Sequence, residues 1–144
     1  NYATYGVLYN WPAVMTEGIC PSGWHIPSDG EWQTMEISLG MSEAQASSTG
    51  DRGTDEGNQM KSVSGWNDYN GSIGNGSNSS GFTGLPGGYR YNGGFYISGH
   101  YGTWWSASEY GSGSWRRRLS LSNDDVYRDS YLRHYGFSAR CVRD

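Results

Sequence analysis

The sequence has little of several things that most domains use freely. Among 144 residues it contains one lysine, Lys61, two cysteines and four prolines, and Leu, Ile, Val and Phe are few. No apolar run approaches the roughly 18 residues that a membrane-spanning helix needs, so we expect no direct membrane insertion. The net charge of −4 argues against a nucleic-acid partner, because such a partner calls for a strongly basic surface.

The sequence is rich instead in glycine and in aromatic residues. Glycine accounts for 23 residues, tyrosine for 12 and tryptophan for 7. The core must then be built largely from aromatic rings, which bury a large area but carry polar groups that need partners. This composition is typical of a small secreted domain, and the length fits a single domain over residues 1–144. Because the chain begins at Asn1 without a methionine or a leader, we expect an upstream region, and a domain that is the C-terminal part of a larger surface protein.

The two cysteines, Cys20 and Cys141, are open to two interpretations. They are either a disulfide that closes a loop of about 120 residues or a pair of reduced, buried thiols. The secreted type of composition favours the disulfide. The cysteines do not combine with His25, His100 and His134 at any usual zinc spacing, so we expect no metal site and no cofactor.

Charge is distributed unevenly along the chain. Residues 1–100 hold nine acids and three bases, a net of −6, whereas residues 101–144 hold five acids and seven arginines, a net of +2. This asymmetry is either ordinary surface charge or a C-terminal region that faces a polar or anionic partner.

Sequence patterns predict two helices in the N-terminal half of the chain. Ser28 and Glu31 form a capping box, in which each side chain satisfies a backbone amide of the first helical turn. Apolar residues then follow at helical spacing as far as Gly40, where glycine ends the helix. Residues 42–47 predict a second, shorter helix.

Alternating residues predict short strands. One or two lie within residues 2–15 and end near Pro12, and a hairpin turns at residues 92–94. Residues 67–80 are mostly Asn, Gly and Ser, which predicts a surface loop. Further strands are predicted at residues 103–108, 114–121, 125–131 and 135–142. The fold class is therefore α+β, with two helices, a twisted antiparallel sheet built mostly from the C-terminal half, and long loops.

Several blocks of the sequence resemble the Fibrobacter succinogenes major paralogous domain family. The matching blocks, in the family's order, are residues 20–28 with 31–32, 61–62, 65–67, 80–82, 85–90, 105–106 and 136–142. This family is similar to the C-type lectin-like and formylglycine-generating-enzyme-like folds. The resemblance therefore implies that the N- and C-terminal strands are adjacent and that Cys20 is bonded to Cys141. It also implies an exported protein, extracellular or at a surface such as a cell, a phage or a pilus tip.

The sequence lacks the residues that two mechanisms known from those folds require. Trp66-Asn67-Asp68 spells one calcium motif of lectins, but its usual partner motif is missing, and the roughly six to eight oxygens that calcium needs cannot be assembled. The reactive cysteine pair of formylglycine-generating enzymes has no residues left if Cys20 is bonded to Cys141. No nucleophile motif is recognisable either, so we expect a protein that is not an enzyme.

Residues 109–135 have the composition of an adaptable binding surface, dominated by Tyr, Arg, Trp, Ser, Asn and Asp. We expect one solvent-facing patch, away from the paired termini, that binds a glycan or a protein receptor on another cell or surface. Its predicted members are Tyr110, Trp115, Arg116, Arg118, Asp124, Tyr127, Arg128, Asp129, Tyr131, Arg133 and His134. The other interpretation is a solvated sheet face with arginines stacked on tyrosines, which would suit a structural repeat unit of a surface protein.

The resemblance also implies a hypothesis about variation. C-type lectin-like domains, including relatives of this family, serve as targets of diversity-generating retroelements, which randomise adenine-containing codons near the C-terminus. The residue types found here fit such a variable protein. The positions concerned are Ser112, Ser114, Arg116, Arg118, Ser122, Asn123, Asp124, Asp129, Ser130, Leu132, Arg133 and His134.

Overall fold

The computed structural model describes residues 2–144 and has the α+β class that the sequence predicts. Its elements are α1 (Tyr2–Tyr5), β1 (Leu8–Tyr9), α2 (Trp11–Val14), β2 (Trp24–His25), α3 (Asp29–Leu39), α4 (Glu43–Ser47), β3 (Gly50–Arg52), α5 (Glu56–Met60), β4 (Tyr89–Tyr91), β5 (Gly94–Tyr96), β6 (Tyr101–Tyr110), β7 (Gly113–Ser120), β8 (Val126–Leu132), β9 (Phe137–Ser138) and β10 (Val142–Arg143). Over the described residues, no helix has the length and apolar character needed to cross a membrane.

The main sheet has six strands in the order β1-β9-β6-β7-β8-β3. The long strands β6, β7 and β8 form its antiparallel centre, and β3 and β1 form its edges. Only the β6–β9 neighbours run parallel, so the sheet is mixed where the sequence analysis expects an antiparallel one. Two small sheets, β2 with β10 and β4 with β5, flank it.

The two ends of the chain are tied together. Strand β1 pairs with β9 and β2 pairs with β10, so early and late strands are neighbours in both sheets. Close by, Cys20 and Cys141 form a disulfide between residues 121 apart in sequence. The prediction of adjacent termini and the prediction of the disulfide are both confirmed.

The two predicted helices are confirmed with their caps. At the start of α3, Ser28 Oγ accepts a hydrogen bond from the Glu31 amide, and the Glu31 carboxylate accepts one from the Ser28 amide. Gly40 ends the helix with a φ of 135°. Helix α4 has a capping box of its own, made by Ser42 and Gln45. The short helices α1, α2 and α5 lie outside the prediction of two helices.

Residues 2–15 contain one short strand, β1, as predicted, but it has two residues and lies between the helices α1 and α2, which were not predicted. The Asn10 side chain accepts a hydrogen bond from the Ala13 amide, and Pro12 stands in the first turn of α2, where its missing N–H is not needed. The cap and the proline favour a helical turn at residues 11–14, although the alternation of apolar residues there predicts a strand.

The C-terminal half follows the prediction more closely. The hairpin is confirmed, and its turn residues Asn92 and Gly93 have φ values of 44° and 81°, the positive angles that a type I′ turn needs. Residues 67–80 form the predicted loop. The strand predicted at residues 135–142 is divided into β9 and β10, because the chain leaves the main sheet after Ser138 to pair with β2.

Two aromatic clusters form the core on opposite faces of the main sheet. Neighbouring residues of β6 belong to different clusters, because successive side chains of a strand point to opposite faces. Trp104 packs with Trp32 on the side of α3. Trp105 packs with Phe137 on the other side. Trp66, the first residue of the Trp66-Asn67-Asp68 motif, is buried in the first cluster and donates its indole N–H to a backbone carbonyl, so it is a core residue.

Candidate functional site

Alternation along β7 sends three consecutive arginines to two faces of the sheet. Arg117 points toward α3, whereas Arg116 and Arg118 point away from it. We call this second face the tyrosine face. It is defined by Tyr101, Thr103, Arg116, Arg118, Tyr127, Asp129 and Tyr131, which alternate along β6, β7 and β8 in register with one another.

The side of the sheet toward α3 is held by a buried network of charges. Arg117 donates hydrogen bonds to Asp29 and Glu36. Two guanidinium nitrogens of Arg52 lie 2.9 Å from the two oxygens of Glu36, and Arg128 donates to both oxygens of Asp29. All five side chains are buried. Backbone carbonyls around the end of α4 accept further hydrogen bonds from the arginines. The network fixes the helices to the strands.

The charge state of Asp29 is set by this network. Burial alone would raise the pKa of Asp29, but hydrogen bonds from Arg128 and the charge of Arg117 outweigh it and lower the pKa to about 2. The carboxylate therefore stays ionised at neutral pH, and its role is to compensate buried arginines.

Arg116 is not the exposed residue that the sequence predicts. It is buried, and its Nε and a terminal nitrogen lie 2.7 and 3.1 Å from the two carboxylate oxygens of Asp129 on β8. Its guanidinium lies over the Tyr131 ring at 3.9 Å. The prediction that these residues share one face holds for Arg116, Asp129 and Tyr131, which all lie on the tyrosine face. The charge of Arg116, however, is compensated by Asp129 on the neighbouring strand.

Trp115 and Arg128 lie on the face toward α3, which corrects the prediction of a single solvent-facing patch. Arg128 is buried, with its guanidinium 3.8 Å from the centre of the Trp115 ring. Because side chains alternate along a strand, Trp115 lies on the same face as Arg117 and on the opposite face from Arg116. The eleven predicted residues are therefore divided between the two faces and the strand ends.

Two of the predicted residues lie near the β6–β7 turn. Tyr110 is exposed at the end of β6, and its ring packs against Trp115 with the ring centres 4.5 Å apart. Arg133 forms an ion pair with Glu109 at 3.0 Å and donates to the Gly113 carbonyl. Both residues lie at the margin of the sheet.

Two more predicted residues lie at other margins. Asp124 is an exposed residue in the turn between β7 and β8, and it accepts a hydrogen bond from Lys61 at 3.0 Å. His134 is exposed, and its ring packs against Tyr91 and Tyr135.

A cleft of about 190 Å³ opens on the tyrosine face, and we call it the tyrosine cleft. Four tyrosines contribute to its walls: Tyr89, Tyr101, Tyr131 and Tyr135. Tyr89 comes from the β4–β5 hairpin, which packs over one end of the sheet, and its ring lies 5.9 Å from that of Tyr135. The cleft is thus built from the hairpin, the central strands and the segment before β9.

Arg118 is the arginine of the tyrosine cleft that has no carboxylate partner among the described residues. Its guanidinium lies 4.0 Å from the centre of the Tyr127 ring and 4.8 Å from that of Tyr101. Among residues 2–144 no carboxylate forms an ion pair with it. Its Nε is buried without a hydrogen-bond partner, and so is Oγ1 of Thr103, the residue opposite it on β6. Buried polar atoms without partners are rare in folded proteins and call for an explanation.

Four residues that line the cleft are not among the predicted site residues: Tyr89, Tyr101, Thr103 and Tyr135. Tyr101 and Thr103 could have been found by combining the alternation of β6 with that of β7, because the two strands are joined by a short turn. No local pattern marks Tyr89 or Tyr135, since their position depends on how the hairpin packs on the sheet.

A second cavity, of about 300 Å³, lies between α3 and the C-terminal strands. Its lining includes Trp32, Phe82 and Arg140. The Arg140 guanidinium donates to the Phe82 carbonyl and lies 4.3 Å from the centre of the Phe82 ring. Burial lowers the pKa of Arg140. Because the Arg140 guanidinium already donates a hydrogen bond to a backbone carbonyl, it differs from Arg118, whose Nε has no such partner among the described residues.

The structure defines the class of the protein as an α+β domain with disulfide-tied ends and a tyrosine-lined cleft on its sheet. The sequence model of the Fibrobacter succinogenes major domain matches residues 1–143, and the chain belongs to this family. The resemblance stated from the sequence blocks is thereby confirmed at the level of the family. No curated protein and no solved structure matches the chain significantly.

Proposed function

We propose that this domain is an extracellular ligand-binding or adhesion module that binds a glycan or a protein receptor in the tyrosine cleft. The observation that carries the proposal is the lining of the cleft, in which tyrosine rings lie beside Arg118, an arginine with no carboxylate partner in residues 2–144. Tyrosine supplies rigid contact area at a low cost in conformational entropy, and arginine supplies directed hydrogen bonds. The ligand would lie on another cell or surface.

A C-type lectin-like fold is part of the proposal. Three features support it: the paired N- and C-terminal strands, the disulfide between the segment before α3 and the segment before β10, and the long looped excursion around residues 67–80. The disulfide also supports an exported location, because disulfides persist mainly in oxidising environments.

Diversification by a retroelement is the second part of the proposal. The exposed candidates, such as Ser112, Leu132 and His134, have side chains that could vary without disturbing the core. Ser114 and Arg116 are buried, so variation there would be restricted. A reverse-transcriptase gene and a near-identical template repeat in the neighbouring DNA would support this part, and a neighbourhood without them would contradict it.

Two other functions compete with this one. An enzyme of the formylglycine-generating type would need a reactive cysteine pair, and the bond between Cys20 and Cys141 favours binding over that chemistry. A structural repeat unit of a surface protein would need no ligand. It would be favoured if neither glycans nor cells bound the purified domain.

The test is a glycan array followed by a cell-binding assay, with two variants of the domain. Tyr101→Ala removes a ring from the tyrosine cleft, and Tyr69→Ala removes a ring from the loop at residues 67–80. We expect Tyr101→Ala to weaken binding about tenfold, the size of a moderate hot spot, and Tyr69→Ala to bind as the unmodified domain does. Equal binding by both variants would contradict the proposal.

A further inference from the structure

The two arginines of the tyrosine cleft differ in whether their charge is compensated. Arg116 shares two hydrogen bonds with Asp129, so the pair is neutral as a whole. Arg118 contacts two aromatic rings and no carboxylate within the described part of the chain. Arg118 therefore gives the cleft a net positive charge, since the charge of Arg116 is balanced by that of Asp129.

The position of Arg118 is held by the aromatic rings around it. Cationic groups are attracted to the face of an aromatic ring, and the planar guanidinium stacks well on such a face. Contacts with Tyr101 and Tyr127 therefore restrain the arginine without using its N–H groups. Those N–H groups form a fork that matches a carboxylate in geometry.

Unpaired polar atoms are concentrated on the tyrosine face. Of the five buried side-chain N or O atoms without a hydrogen bond in residues 2–144, three belong to Thr103, Ser114 and Arg118. Thr103 is 1% exposed, and it lies directly opposite Arg118 in the strand register. A buried hydroxyl without a partner costs free energy, which a ligand atom at that place would recover.

The size of the cleft limits what it holds. Its volume of about 190 Å³ is below the roughly 300–1,000 Å³ typical of sites for drug-sized molecules, so one ring-sized group fits it. A sugar ring has apolar C–H faces that pack on aromatic rings, and a sugar acid adds one carboxylate. We infer that the tyrosine cleft recognises an acidic sugar residue, whose carboxylate binds Arg118 and Thr103. This inference rests on the proposed function and specifies the ligand.

The first test compares two small probes that differ at one carbon. Methyl glucuronide carries a carboxylate where methyl glucoside carries a hydroxymethyl group. Titration of the purified domain at low ionic strength, followed by NMR, should give at least about tenfold tighter binding for the glucuronide, because hydrogen bonds to a charged group are the stronger kind. The difference should shrink as salt is added. Equal affinities for the two probes would overturn the inference.

Two variants test the residues of the subsite. Arg118→Gln should reduce glucuronide affinity to the level of the glucoside. Thr103→Val removes the unpaired hydroxyl while keeping the shape of the side chain, so it should leave the melting temperature equal or higher and weaken glucuronide binding about three- to tenfold. Arg143→Gln, an exposed residue of β10, makes the same charge change outside the cleft and should have no effect. A Thr103→Val variant that is less stable and binds as before would overturn the role of Thr103.

The outcomes separate this inference from the proposed function. If methyl glucoside binds as tightly as the glucuronide and Tyr101→Ala weakens both, the acidic-sugar inference is wrong and the binding function stands. If a short acetylated peptide with a free C-terminal carboxylate binds more tightly than its amide while the glucuronide does not bind, the ligand class is wrong. If Tyr101→Ala also leaves cell binding unchanged, both the inference and the proposed function fail.

Discussion

Three consecutive arginines occupy three different environments in this domain. Arg117 lies in the buried network under α3, Arg116 forms a neutral pair with Asp129, and Arg118 faces the tyrosine cleft without a carboxylate. The role of an arginine in this domain therefore depends on what its guanidinium contacts and not on its residue type alone. For Arg116 and Arg117 the contacting group is a carboxylate of the same chain.

The first prediction concerns Arg117. Replacing it with methionine leaves Glu36 and Asp29 in a buried site with fewer compensating hydrogen bonds, which typically costs about 3–5 kcal/mol of unfolding free energy. Urea unfolding of Arg117→Met measures this loss. Arg143→Met, made at an exposed position, should stay within about 0.5 kcal/mol of the unmodified domain. Equal stability of the two variants would mean that the network is not needed for the fold.

The second prediction concerns acid stability. The pKa of Asp29 is about 2 in the folded domain against an ordinary value of 3.8, so its contribution is present above pH 3.8 and is lost as the pH falls toward 2. The contribution amounts to about 2 kcal/mol. Melting temperatures measured from pH 5 to pH 2 should fall less steeply for Asp29→Asn than for the unmodified domain. An unchanged acid profile in this variant would contradict the assignment, and exposed Asp68→Asn serves as its control.

At the scale of elements, helix α3 supplies Asp29 and Glu36 to the buried charge network, so the position of the helix start affects the network.

The third prediction concerns the cap at the start of α3. Ser28→Ala removes the hydroxyl that accepts a hydrogen bond from the Glu31 amide, and it should cost about 1 kcal/mol of unfolding free energy. Thermal unfolding measures the loss. Exposed Ser64→Ala is the matched control, and an equal effect of both changes would show that the cap contributes nothing.

The elements that could be predicted from the sequence are those with strong local patterns. The capped helix at residues 29–39, the hairpin with its Asn-Gly turn and the long strands follow from local spacing. The short helices at residues 2–5, 11–14 and 56–60 and the strand at residues 50–52 could not be predicted, because pieces of this length have little intrinsic stability and form only when tertiary contacts hold them.

The candidate site could be predicted only in part, for a related reason. Alternation along β7 separates Arg117 from Arg116 and Arg118, and alternation along β6 could have added Tyr101. The pairing of Arg116 with Asp129 requires the strand register, and the place of Tyr135 requires the packing of the hairpin. Both depend on contacts between residues that are far apart in sequence or in different elements.

At the scale of the whole molecule, the disulfide fixes the two ends of the chain, and the fourth prediction concerns its effect. A closed loop of this length stabilises the fold by about 4–5 kcal/mol in the chain-entropy model. Reduction should therefore lower the melting temperature substantially. A double variant with alanine at both cysteine positions should melt at the lower temperature and should not respond to reductant. Mass spectrometry without reductant that found two free thiols would contradict the bond.

The main sheet divides the domain into two sides with different physical roles. On the side of α3, acidic and basic groups compensate one another, and the helices pack on aromatic side chains. On the tyrosine face, buried polar atoms of Thr103, Ser114 and Arg118 have no hydrogen-bond partner among residues 2–144, and two of these residues line a cleft. We propose that a ligand binds on this second side.

The fifth prediction tests that claim directly. NMR chemical-shift mapping of the isotope-labelled domain, titrated with the strongest ligand from the glycan array, reports which backbone amides a ligand perturbs. If the ligand binds on the tyrosine face, the largest shifts occur in residues 101–105, 114–120 and 127–131, the strand segments whose alternate side chains form that face. Shifts concentrated instead in residues 31–35, 81–82 and 140–142, around the second cavity, would contradict that claim.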